Sequence, residues 1–67
     1  MYEYKKLKGR IVEKYGTQRD FAPHVNLSVV SVSQKLNGLK GFSQKDIELW
    51  ANVLEIPKDD YAAYFFT

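Results

Sequence analysis

The segment over residues 17–38 constrains the fold of this chain more than any other, because it reads as two short helices joined by a tight turn. Thr17 is a typical helix N-cap, and Asn26 is one of the few non-glycine residues that tolerates the left-handed backbone of such a turn. Ser28 is placed to cap the second helix, which an Asn-Gly pair then ends. This spacing predicts a helix-turn-helix core.

Helical spacing continues on both sides of this core. Apolar residues recur at every third or fourth position over about residues 4–15 and again after Ser43, which predicts a first and a fourth helix with buried stripes. A short fifth helix is expected over residues 58–65, directly after a proline. We therefore expect one all-α domain of five helices over residues 1–67.

Two stretches run against the helical pattern. Residues 27–33 are rich in β-branched side chains and would suit a strand by local propensity. We assign this stretch to a helix because capping signals flank it. Pro23 lies inside the predicted second helix, where it lacks an N–H, so that helix is expected to be kinked or to run partly as a tighter turn.

Charge is unevenly distributed along the chain. Residues 1–45 contain nine Lys or Arg against three acids, whereas residues 46–67 contain one Lys against five acids, within a net charge of +2. Lysine-rich helix faces are common on small proteins and often have no ligand. Because the basic segment also contains the predicted helix pair, we favour nucleic-acid binding over that alternative.

Several function classes are not expected from this composition. The chain has no cysteine and one histidine, His24, so a Cys–His pair, a zinc cluster and a catalytic site are not expected, nor is a cofactor. No apolar run is long enough to cross a membrane, and the N-terminus lacks the apolar stretch of a signal peptide. A cytoplasmic protein is therefore expected.

Three segments in order carry a resemblance to a known family: LKGRIVEKYGTQRDFA, VSVSQKLNG and GFSQKDIELWANVLEIP. From Leu7 to about Tyr61 the chain resembles the Cro and CI repressor family of temperate phages, within the lambda-repressor-like helix-turn-helix domains. The resemblance implies a five-helix, usually dimeric domain that binds palindromic operator DNA and regulates transcription at the nucleoid of a bacterial host.

The same resemblance implies which residues would contact DNA. The start and outer face of the third helix would contact base edges, through Ser28, Val29, Val30, Ser33 and Gln34. The Gln34 amide suits adenine, and the two valines suit thymine methyl groups. Phosphate contacts are expected from Thr17, Gln18, Lys35, Asn37 and Lys40.

An alternative function rests on the same helix. Val29 and Val30 are apolar where many members of the family are polar, and an apolar helix end suits a groove on a protein. The chain could then be an antirepressor or modulator that keeps the fold and binds a partner repressor protein. The basic segment favours operator DNA as the partner, and the two valines favour a protein.

The C-terminal end is unusually aromatic. Tyr61 and Phe65 have the spacing of residues that pack together on a core, and the remaining aromatic side chains would form an exposed apolar patch. Such patches often mark interfaces. We therefore expect a homodimer whose interface includes Tyr64, Phe65 and Phe66.

Overall fold

Five α-helices and two 3-10 helices make up the computed structural model, which describes residues 3–66. No strand occurs within that range, so the prediction of an all-α domain with five helices is confirmed. The 3-10 helices span Ala22–Val25 and Lys58–Asp60. The α-helices are α1 (Lys5–Tyr15), α2 (Gln18–Phe21), α3 (Val29–Leu36), α4 (Gln44–Val53) and α5 (Tyr61–Phe65).

The starts of three helices are set by capping side chains. The hydroxyls of Thr17 and Ser28 each accept a hydrogen bond at 3.1 Å from the backbone N–H three residues later, at the starts of α2 and α3. At the start of α4 the Ser43 hydroxyl accepts from the Asp46 N–H at 3.1 Å, and the Asp46 carboxylate accepts from the Ser43 N–H at 3.0 Å. This reciprocal pair is a capping box.

The chain accommodates Pro23 by changing the type of helix. The short helix α2 continues into the 3-10 helix Ala22–Val25, and Pro23 lies in the first turn of that element, where no backbone N–H is needed. Asn26 then ends the 3-10 helix with φ 57° and ψ 37°. Of the two expected outcomes, the structure has the tighter turn.

An aromatic cluster centred on Trp50 fills the core. The Trp50 ring is fully buried and meets the rings of Phe21 at 4.9 Å and Phe42 at 4.8 Å, both edge-on. The indole N–H has no hydrogen-bond partner among the described residues, so ring packing holds this side chain. Aliphatic side chains from α1, α3 and the end of α4 surround the cluster: Leu7, Ile11, Val32, Leu36 and Leu54.

Side chains of α1 hold the C-terminal end of α4. The Arg10 guanidinium donates to the carbonyls of Leu54 at 2.9 Å and Glu55 at 3.0 Å, and the Tyr15 hydroxyl donates to that of Val53 at 3.2 Å. These carbonyls lack partners within the helix, so cationic donors are favourable there. Arg10 therefore serves the fold, a role that the sequence pattern did not indicate.

Candidate functional site

An open cleft of about 300 Å³ lies along the outer face of α3. It brings together six of the ten predicted DNA-contacting residues, and a seventh residue, Leu39, was not predicted. The α3 cleft is lined by Gln18, Val29, Val30, Ser33, Gln34, Asn37 and Leu39. Most of the predicted contact residues thus share one surface.

The helical period of α3 explains why these side chains point outwards. Val32 and Leu36 are buried in the core at 0% and 1% exposure. Residues on the opposite side of the helix must then face solvent, and Val30 is 61% exposed. The fold therefore leaves the α3 cleft open to solvent rather than filling it from within.

The lining of the α3 cleft is neutral. Two exposed apolar side chains, Val30 and Leu39, stand beside the amides of Gln18, Gln34 and Asn37. None of the seven lining residues carries a charge. Such a surface suits an apolar side chain flanked by hydrogen-bonding groups, and it offers no cation to a phosphate.

Leu39 is a wall of the cleft that sequence reasoning missed. Its side chain is 75% exposed, and its backbone N–H donates to the Gln34 carbonyl at 2.9 Å. The signal in the sequence is a large apolar residue directly after the Asn-Gly pair, where a solvent-exposed turn would ordinarily carry a polar residue.

Lys35 lies outside the α3 cleft and is paired within the domain. Its ammonium donates to Asp46 Oδ2 at 2.9 Å and to the Gly41 carbonyl at 3.0 Å, and it lies 5.5 Å from the centre of the Phe42 ring. The Lys35 side chain is only 12% exposed. In the free domain Lys35 is turned inwards because a half-buried carboxylate neutralises it there, and its expected contact with a DNA phosphate stays a prediction.

The other predicted contact residues outside the cleft keep exposed positions. Thr17 and Ser28 are exposed N-caps, and the Ser28 hydroxyl also lies 3.2 Å from that of Ser31. Lys40 is exposed on the segment that follows α3. Their expected contacts with DNA stay predictions.

The ion pair with Lys35 has an electrostatic consequence for Asp46. The hydrogen bond from Lys35, followed by that from the Ser43 backbone, holds the pKa of the Asp46 carboxyl below its ordinary 3.8. The Asp46 carboxyl takes up its proton at a higher pH in the unfolded chain than in the folded one. The Lys35–Asp46 ion pair therefore stabilises the domain fully only at pH values above the ordinary pKa of 3.8.

Stability is therefore expected to fall as the pH drops below about 4 towards the folded pKa of Asp46. Urea denaturation followed by circular dichroism from about pH 6 to about pH 2 measures this loss. Asp46→Asn removes the titrating group and should lose less stability over the same interval. Equal losses in both proteins would mean that other carboxylates carry the effect.

The aromatic C-terminal end divides between core and surface. Phe65 is 1% exposed, and its ring packs at 5.4 Å from Phe42 and 6.1 Å from Tyr61. The core of the same chain thus buries Phe65, and its expected place in a dimer interface stays a prediction. Tyr64 is half-buried beneath the Lys6 ammonium at 5.0 Å, and Phe66 is 49% exposed. A dimer interface at these two residues stays a prediction.

Beside this end lies a second open cleft of about 390 Å³, lined by Glu3, Lys5, Lys6 and Ala63. Its walls carry charges of both signs, unlike the α3 cleft. Over residues 3–66 there is no cluster of three or more His, Cys, Asp or Glu that could hold a metal ion. No helix in that part of the chain is long and apolar enough to cross a membrane.

Comparison with known proteins gives two findings. The chain matches, over residues 1–67, the family described as "Protein of unknown function (DUF739)". It is also similar to the solution structure of the modulator of repression of the temperate bacteriophage TP901-1 from Lactococcus lactis, at 41% identity and a TM-score of 0.87. The match covers 98% of this chain and 89% of that one.

No curated protein matches the chain. The resemblance to Cro and CI repressors stays a prediction, whereas the likeness to a phage modulator of repression spans nearly the whole domain. Because the family model matches residues 1–67, the chain belongs to the DUF739 family.

Proposed function

We propose that this chain is a modulator of repression that binds a phage-type repressor protein through the α3 cleft. The observation that carries the proposal is the neutral, partly apolar lining of that cleft, on the very face where a DNA-binding protein of this shape would need polar and cationic groups. The likeness to the modulator of phage TP901-1 supports the same function.

The distribution of free cations argues against operator DNA as the main partner. Half or more of the hydrogen bonds between proteins and DNA go to the phosphates and sugars, largely from Lys and Arg. Here Lys35 pairs with Asp46, Arg10 with the end of α4, and Lys14 with Glu55. The basic segment therefore offers fewer cations to a ligand than its composition indicates.

The cleft instead suits one large apolar side chain from the partner. Val30 and Leu39 supply apolar contact surface, and the amides of Gln18, Gln34 and Asn37 can exchange hydrogen bonds with polar groups around it. An exposed helix of the repressor that carries an aliphatic or aromatic side chain among uncharged polar residues has the matching chemistry.

The test is direct binding to a purified phage-type repressor protein from the genome that encodes this chain. We expect a stable complex in size-exclusion chromatography and a measurable dissociation constant by calorimetry, while the chain alone leaves operator DNA unshifted on a gel. Absence of a complex, together with a specific and salt-sensitive shift of operator DNA by the chain alone, would overturn the proposal in favour of a Cro-like regulator.

Salt dependence distinguishes the two partners further. Because the cleft is neutral, the affinity for the repressor is expected to change by less than about threefold between about 50 and about 500 mM salt. Binding to DNA through several phosphates would weaken by roughly a thousandfold or more over a similar interval. Calorimetry of both titrations in the same buffers gives the two slopes.

A further inference from the structure

The wall of the α3 cleft formed by Leu39 belongs to a segment without regular helix, residues 37–43. The side chain of Leu39 is 75% exposed, so packing in the core does not fix its position. The backbone N–H groups of Leu39 and Lys40 both donate to the Gln34 carbonyl, at 2.9 and 3.3 Å. These two bonds hold the near end of the segment to α3.

Lys35 holds the far end of the same segment. Its ammonium donates to the Gly41 carbonyl at 3.0 Å and is itself anchored by Asp46 Oδ2 at 2.9 Å. Asp46 is fixed in turn by the Ser43 N–H at 3.0 Å, within the capping box of α4. A single side chain thus joins α3, the segment and the start of α4.

We infer that Lys35 is a positioning residue for the α3 cleft: it fixes the segment that carries Leu39 and so forms the cleft before a partner arrives. Its consequence for repressor binding rests on the proposed function, whereas the positioning itself is a property of the free domain. A lysine suits this task because its ammonium has several donors and can serve both acceptors at once. Because the segment is already ordered in the free domain, binding of a partner does not include the entropic cost of ordering that segment.

The first measurement is amide hydrogen exchange in the free protein. Lys35→Met keeps most of the length of the side chain but lacks the ammonium, and so removes both hydrogen bonds. We expect the Leu39 and Lys40 amides to exchange at least about tenfold faster relative to the Ile11 amide of α1, because the segment opens locally. Lys45→Met, at an exposed lysine of α4, is the matched control and should leave this ratio unchanged.

The second measurement is affinity for the repressor, at a temperature where circular dichroism shows every variant folded. Lys35→Met should bind about tenfold more weakly, Lys35→Arg should recover most of that loss, and Lys45→Met should bind like the wild type. If Lys35→Met does not fold, Asp46→Asn removes the negative charge that anchors the ammonium and should also raise the exchange ratio of Leu39 and Lys40.

Two results would overturn the inference. One is an unchanged exchange ratio for Leu39 and Lys40 in Lys35→Met. The other is a loss of affinity in that variant accompanied by a shallower dependence on salt, because Lys35 would then contact the ligand directly as a charge. If the wild-type chain does not bind the repressor at all, the proposed function fails, and the exchange ratio still decides whether Lys35 positions the segment.

Discussion

Trp50→Ala is expected to leave most of the protein unfolded at room temperature. The indole is fully buried and packs edge-on against Phe21 and Phe42, so truncation removes the centre of the aromatic cluster. Loss of a buried Trp typically lowers the free energy of unfolding by about 3–5 kcal/mol. A single core in a domain of this size supplies only about that much in total. Far-UV circular dichroism in increasing urea measures the effect.

Val12→Ala is the control for this experiment. Val12 lies on α1 with 59% of its surface exposed, so its truncation should change the free energy of unfolding by no more than about 0.5 kcal/mol. A cooperative unfolding transition of Trp50→Ala near the wild-type midpoint would show that the aromatic cluster does not dominate stability.

Val30→Asp is expected to weaken binding of the repressor by about 100-fold or more. The substitution places a carboxylate on the apolar side of the α3 cleft, where a docked partner would strip it of water without offering a cation. A 100-fold loss corresponds to about 2.7 kcal/mol, the size of effect seen at central interface residues. Calorimetric titration of the repressor measures the change.

The fold should tolerate this substitution. Val30 is 61% exposed and lies in the first turn of α3, where an acidic residue is favourable. Val12→Asp introduces the same charge at a similarly exposed position of α1 and is expected to leave repressor binding nearly unchanged. Wild-type affinity in Val30→Asp would show that the partner does not use the α3 cleft.

The composition of the chain overstates the number of cations that it can offer to DNA. Counting bases over residues 1–45 predicts a cationic surface. In the folded chain Arg10, Lys14 and Lys35 each have an internal partner. The apolar character of Val29 and Val30, in contrast, was visible in the sequence and indicated the alternative that the structural likeness supports.

Local signals in the sequence were sufficient to place the starts of α2, α3 and α4. The N-caps at Thr17, Ser28 and Ser43 and the left-handed turn at Asn26 all occur where their residue types predict them. Each depends on hydrogen bonds or backbone angles within about four residues, so no distant part of the chain is needed to specify it. The strand propensity of residues 27–33 was overruled because the flanking caps agree with the buried positions of α3.

Only the tertiary structure decided which distant groups each side chain contacts. Arg10 donates to carbonyls more than forty residues away, Lys35 pairs with Asp46 on another helix, and Phe65 is buried in the core. Leu39 lines the α3 cleft because the segment that follows α3 places its side chain there. The sequence by itself determined where α2, α3 and α4 begin, because side-chain capping is local. The packing of distant elements decided which charges remain free and which apolar residues stay exposed. No local sequence pattern encodes that packing.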